Sequence, residues 1–363
     1  MTTPLRISTM RHMKGESKSV LEREIGEQPE AIARTVDSCA REIGLLARDM
    51  RARDITGVMI AARGSSDNAG VYAKYLFQAF NGLPVMMATP SLYTFYHKPP
   101  RLRNLMVLGI SQSGQSEDIV EVMTDARRQG ALTAVVTADG VSPLANQADH
   151  ALLLKTGPEK AVAATKTFTA SLAVLAALSA ALENDDGRMA GVKELPERAA
   201  RTITLSGPVA AARAERYRYM QRCVVISRGF CHGISMEVAL KLKELTYVTA
   251  EPYSSADFLH GPMAMLEPGF PVILIATSGV LLSHMAEFAG TLQERQSEVI
   301  AISDSKDILE KGTTRLPIAE GAPDWLSPVL AVIPGQLLGL HLAVAKGYDP
   351  DAPRGLRKVT VTR

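Results

Sequence analysis

The chain repeats itself. The run TGVMIAARGS (56–65) is echoed by QRCVVISRGF (221–230): an apolar stretch, then Arg-Gly, then the start of a helical pattern. NLMVLGISQSG (104–114) is echoed by FPVILIATSG (270–279), and ALTAVVT (131–137) by SEVIAIS (297–303). Short apolar runs that alternate with helix-period segments indicate βαβ units on a parallel sheet. Their return in the same order makes the chain a tandem repeat of one doubly wound α/β unit.

Further expected strands are LPVMMA, which follows a helix from about 66 to 80, and HALLLK (150–155). Helices are expected over Val20 to Met50, Ser116 to Gln129 and Thr165 to Glu183. The polar stretch ENDDGRMAGVKELPERAA (183–200) marks the junction. The expected layout is an N-terminal arm and helix (1–50), a first parallel-sheet domain (51–185), a second (186–346) and a closing tail (347–363). Each domain is a three-layer αβα, flavodoxin-like unit.

A net charge of +2, with no Lys/Arg-rich block, argues against a nucleic-acid partner. Cys39, Cys223 and Cys231 are odd in number and lack CxxC spacing, which fits a reducing, cytoplasmic setting better than a disulfide framework. The first residues are basic without an apolar core, unlike a signal peptide. Phe168 to Leu182 reads as the most apolar stretch. It falls short of the roughly 20 residues a membrane span needs, so no membrane partner is expected.

The echo is unequal, and the inequality points to a ligand. The first half carries Ser65 and Ser66 at one strand-to-helix loop, then Ser111, Gln112, Ser113 and Ser116 at the next. The second half carries Phe230-Cys231 and Thr277-Ser278-Gly279. Turn geometry alone would favour hydroxyls in both. In an open α/β sheet, ligands sit at the carboxyl ends of strands, where helix N-termini attract anions. The serine loops therefore read as a phosphate cradle for a small metabolite, since neither a GK[ST] loop nor GxGxxG is present. Glu117 and Asp118 stand just behind the loop, placed to compete for the same helix end. The competing view is a serine-capped turn with nothing bound.

In the second half, Glu237, Lys241, Glu244 and Val248 fall on one helical stripe. Taken alone, the stripe reads more simply as a salt-bridged solvent face. Glu251 to Pro262 follows as an ordered loop with His260 in it. Seven scattered histidines with no HxxxH give no metal site. Lys358, near the end of the tail, reads by itself as an exposed lysine.

The segments REIGEQPEAI, RGSSDNAGVYAKY, SQSGQSEDI, EKAVAATKTF, ALKLKELTYVTAEPYSSADFLHGP and PGQLLGLHLAVAKGYDPDAPRGLRKVTVT, in this order, resemble the sugar-isomerase (SIS) family. The resemblance runs from about Leu21 to Val361. It is to SIS-type glucosamine-6-phosphate deaminases and to the isomerase half of glucosamine-6-phosphate synthase. It implies phosphate contacts from Ser66, Ser111, Gln112, Ser113 and Ser116, and sugar contacts from Ser65 and the backbone near Val162. It implies Glu244 as the base of a 1,2-proton shift, His260 assisting ring opening in a neighbouring subunit's site, and Lys358 near the sugar carbonyl with Lys241 beside it. No cofactor is implied. Ala164 stands where the synthase pattern has Ser.

RGSSDNAGVYAKY and EKAVAATK look more like the deaminases. The synthase's glutaminase needs an N-terminal Cys and a further domain. Here residue 2 is Thr and the first cysteine is Cys39. The expected reaction is thus glucosamine 6-phosphate to fructose 6-phosphate and ammonia, in a homodimer with a shared site. Alternatives are a fructosamine-6-phosphate deglycase, a related amino-sugar-phosphate isomerase, or a non-catalytic sugar-phosphate sensor.

Overall fold

Two five-stranded parallel sheets dominate the computed structural model, which describes residues 18–358. The first half runs α1 (Val20–Gly26), α2 (Gln28–Ala52), β1 (Gly57–Ala62), α3 (Ser65–Asn81), β2 (Val85–Met87), α4 (Ser91–Thr94), β3 (Leu105–Ile110), α5 (Glu117–Arg128), β4 (Leu132–Thr137), β5 (His150–Leu153) and α6 (Lys166–Leu182). Then come α7 (Asp186–Lys193) and α8 (Leu195–Arg213). The second half has β6 (Arg222–Ser227), α9 (His232–Thr246), β7 (Thr249–Ser254), α10 (Ser255–Leu259), β8 (Pro271–Ile275), α11 (Leu282–Glu294), β9 (Glu298–Ser303), α12 (Lys306–Lys311), β10 (Thr314–Pro317) and α13 (Ser327–Ala345).

The sheet orders are β2-β1-β3-β4-β5 and β10-β9-β8-β6-β7. Reading β6 to β10 as the counterparts of β1 to β5 makes the two orders identical, so the repeat seen in the sequence is a repeat of topology. β1, β4 and β8 are buried at every position, as parallel strands covered on both faces must be.

Four expectations change. The helix expected over Val20 to Met50 is two, broken at Glu27, where Pro29 suits the first turn of a new helix. The junction over 183–200 is not a linker: it is taken up by α7 and the start of α8, with Asp185 capping Arg188 N. The loop expected after α9 is an edge strand followed by a short helix. Pro252 is tolerated there because β7 lies at the edge of its sheet. Finally, α13, not Phe168 to Leu182, is the longest apolar helix. It is long and apolar enough to cross a membrane, but most of it is buried inside the chain. α6 is likewise packed within the chain, against α2 and α3, so its apolar surface gives no argument for a dimer.

Glycines set how close α9 comes to its neighbours. A Cβ on Gly233 would sit 2.5 Å from the Asn68 carbonyl oxygen in α3. One on Gly335 of α13 would sit 2.3 Å from Val238 Cγ2. α9 is thereby wedged between α3 of the first half and α13 of the second, which brings its polar stripe to the carboxyl end of the first sheet.

Candidate active site

Ser65, Ser66, Gln112, Ser113, Ser116, Val162, Lys241, Glu244 and Lys358 line one cleft of about 340 Å³. Two expected residues are not on its wall. Ser111 is buried, with its hydroxyl turned back to accept from Gly114 N at 3.1 Å, so it shapes the loop from beneath. His260 is exposed at the end of α10 and lies outside the cleft.

The serine loop leaves β3 and crosses over the end of β4, pinned by Ser111 N to the Val136 carbonyl and Ala138 N to the Gln112 carbonyl. Gly114 has φ +62°, and a Cβ there would lie 2.1 Å from Ser142 Oγ. Only glycine fits. Ser116 is the N-cap residue of α5, yet its side chain makes no capping bond, so the hydroxyl remains for the cleft. Asp118 turns away from a ligand: its carboxylate takes Arg63 Nε and Nη2, at 2.8 and 2.7 Å, and Ile119 N.

The counterpart loop in the second half is filled from within. Asp304 Oδ1 accepts from Ser278 N at 2.7 Å, and the Asp324 carboxyl accepts from Val280 N. A Cβ on Gly279 would meet the Asp324 carboxyl group at 2.4 Å. Internal carboxylates thus occupy the anion position in the second half, while the first half offers hydroxyls.

Opposite the serine loop stands the stripe of α9, and it is no solvent face. The Glu237 and Lys241 side chains are 0% and 1% exposed, and Glu244 is 21% exposed toward the cleft. Lys241 Nζ lies 2.6 Å from Glu244 Oε2 and 3.3 Å from Glu237 Oε1. Burial pushes the Lys241 ammonium down, but the two carboxylates outweigh it and hold the group above its ordinary range. Burial pushes the Glu237 carboxyl up, against the pull of Lys241 and of hydrogen bonds from Asn68 and Ser65.

The third wall is the loop before α6. Glu159 is buried beneath the cleft, accepting from Thr165 N, Thr167 N and the Thr167 hydroxyl. Lys358 of the tail closes on it at 2.7 Å. Burial pushes the Glu159 carboxyl up, yet Lys358 and the donated hydrogen bonds outweigh it and hold it below the usual carboxylate range.

Sequence reasoning missed Glu159, Arg63 and Arg357, which also line the cleft, and the inward-facing Glu237. Glu159 stood inside a quoted motif. Glu237 stood on the stripe but was assigned to solvent, because spacing does not say which way a charged face points. Among the described residues, no cluster of three His, Cys, Asp or Glu could hold a metal ion.

The fold and cleft define a two-domain α/β protein with a serine-lined loop facing a lysine–carboxylate pair. The chain belongs to the SIS domain family, whose model matches residues 54–181 and again 218–346. It is 36% identical over 372 residues to glutamine–fructose-6-phosphate aminotransferase (isomerizing) of Zymomonas mobilis, with 96% of this chain and 60% of the relative aligned. The chain thus spans about 60% of the length of such relatives. A Silicibacter pomeroyi structure, provisionally named a phosphosugar isomerase, superposes with TM-score 0.82 at 34% identity, covering 92% of this chain and 100% of that one. The C-terminal domain of glucosamine-fructose-6-phosphate aminotransferase from Francisella tularensis superposes with TM-score 0.81 at 26% identity, covering 93% and 99%.

Proposed function

We propose that this protein is an amino-sugar-phosphate isomerase that deaminates glucosamine 6-phosphate to fructose 6-phosphate and ammonia. The observation that carries the reading is the placement of Glu244 and Lys241 across one cleft from Ser66, Gln112, Ser113 and Ser116. Hydroxyls and a helix N-terminus accept a phosphate. A carboxylate beside an ammonium can move a proton.

The chemistry balances without a redox step. In the open aldose, Glu244 takes the C2 proton and returns it to C1 while a proton passes from the C2 amine to O1, which leaves a hydroxyl at C1 and an imine at C2. Water adds to that imine, and ammonia leaves. Lys358, already at the cleft wall, is the cation assigned to the sugar oxygen. His260 reaches this chemistry only from a second copy of the chain, so the reading includes a homodimer. The deaminase direction draws on the likeness of RGSSDNAGVYAKY and EKAVAATK to deaminases.

The test is a coupled assay for both products from purified protein in chelator, with no glutamine. Equimolar fructose 6-phosphate and ammonia are expected. Release of an amino acid from a fructosamine 6-phosphate, with no ammonia from glucosamine 6-phosphate, would replace this reading with the deglycase one.

A further inference from the structure

Glu237 lies behind the cleft wall and is not part of it. Its carboxylate gathers groups from both halves of the chain. Oε1 accepts from Ser65 Oγ at 2.9 Å and faces Lys241 Nζ at 3.3 Å, while Oε2 accepts from Asn68 Nδ2 at 2.8 Å. Lys241 in turn donates to Ser65 Oγ at 3.2 Å and to Glu244 Oε2 at 2.6 Å. Ser65, Glu237 and Lys241 therefore form a closed triangle, and Glu244 hangs from one corner.

The triangle fixes the direction of the Ser65 hydroxyl. A hydroxyl has one hydrogen and two lone pairs. The hydrogen is committed to Glu237, which as a carboxylate can only accept. One lone pair is committed to Lys241, which as an ammonium can only donate. What remains for the cleft is a single lone pair, suited to a sugar hydroxyl or a substrate amine as donor.

The triangle also explains how a lysine can stay charged at this depth. A buried ammonium is costly unless paired, and Lys241 is flanked by carboxylates one turn before and one turn after it on the same helix face. The α3 group bonded to it, Ser65, is neutral, as is Asn68 on Glu237. Of the other charged groups lining the cleft, Glu159 is paired with Lys358 and Arg63 with Asp118, and the exposed Arg357 is a further cation there.

We propose that Glu237 is a positioning residue: it turns the Ser65 hydroxyl into an acceptor toward the substrate and holds the Lys241 ammonium against Glu244. The proposal rests on the amino-sugar-phosphate reading above for its kinetic arm only.

Glu237→Gln keeps the size and leaves an oxygen for Ser65, and the Asn68 amide can turn its own oxygen toward the new NH2. Removing a counter-charge this close lowers an amine's titration by about 1–3 pH units. The basic limb of kcat against pH should move down by about that much, with kcat reduced roughly tenfold and KM within about twofold of wild type. Glu237→Asp retains the charge, so its basic limb should stay near the wild-type position with part of kcat restored. It also keeps the test alive if the Gln variant does not fold.

A titration of 13Cε-lysine-labelled protein without substrate, with the Lys241 signal identified by its loss in Lys241→Arg, should show the same downward move in Glu237→Gln. If that titration coincides with wild type, if KM rises as far as kcat falls, or if the Asp variant's basic limb moves down, the proposal is overturned. A shifted Lys241 titration in a protein that turns over no amino-sugar phosphate would sink the function reading alone and leave the Glu237–Lys241 relation standing.

Discussion

Lys358 Nζ lies 2.7 Å from Glu159 Oε2, joining residues 199 positions apart. The contact closes a circuit. Asp351, earlier in the same tail, accepts from Val20 N and Leu21 N and so caps α1. Glu24 of α1 accepts from Lys160 N and Ala161 N, beside Glu159. Arg354 N donates to the Tyr247 hydroxyl just past the end of α9, and its guanidinium lies 3.8 Å above that ring. The tail thus ties the loop before α6, the first helix and α9 to one another.

Acid should undo this circuit through Glu159. Its folded carboxyl titrates below its unfolded value, so the stability it contributes is fully present above the unfolded value, about 4.3, and is lost as pH falls through the folded one. Wild-type Tm should therefore drop more steeply below about pH 4 than the Tm of Glu159→Gln, measured by scanning calorimetry. Parallel pH–Tm curves would refute the role.

The cradle predicts a selective loss of phosphate recognition. Hydrogen bonds to a charged group contribute about 1.5–3 kcal/mol each. Ser66→Ala with Ser113→Ala should raise KM for phosphorylated sugars roughly tenfold to hundredfold per contact while Tm changes little. An unchanged KM in the folded double variant would remove the cradle from the account.

Glu244→Gln should bind substrate nearly as wild type and lose on the order of 10² to 10⁴ in kcat, the usual contribution of a general base. Solvent deuterium exchange at the substrate C2 position is the direct readout. Exchange at the wild-type rate in this variant would show that another group takes the proton.

Gly233→Ala tests the close approach of α9 to α3. A methyl group 2.5 Å from the Asn68 carbonyl must push the helices apart, at a cost of about 1–3 kcal/mol. Activity should fall further than this destabilisation alone explains, because Ser65 and Asn68 would separate from Glu237. An alanine variant with wild-type Tm and kcat would show that the contact relaxes freely.

The exposed position of His260 predicts complementation between subunits. Mixed Glu244→Gln and His260→Ala chains should regain activity once subunits exchange, because a heterodimer rebuilds one complete site. No recovery after verified exchange would argue against a site shared between subunits.

The repeat, its parallel α/β architecture and the confinement of the serine loops to the first half were all legible in the chain. Alternating apolar runs and helical periods are local properties, and a serine loop missing from the second copy is visible as letters. The direction of a charged stripe is not local. Glu237 and Lys241 have the i, i+4 spacing of a surface ion pair, and only the packing of α9 between α3 and α13 turns them inward. The same holds for Glu159, an ordinary acid in a polar loop until the tail lays Lys358 against it. Whether a buried charge is tolerated depends on partners that arrive from distant segments, and those partners are brought together only when the two sheets and their helices close around the cleft.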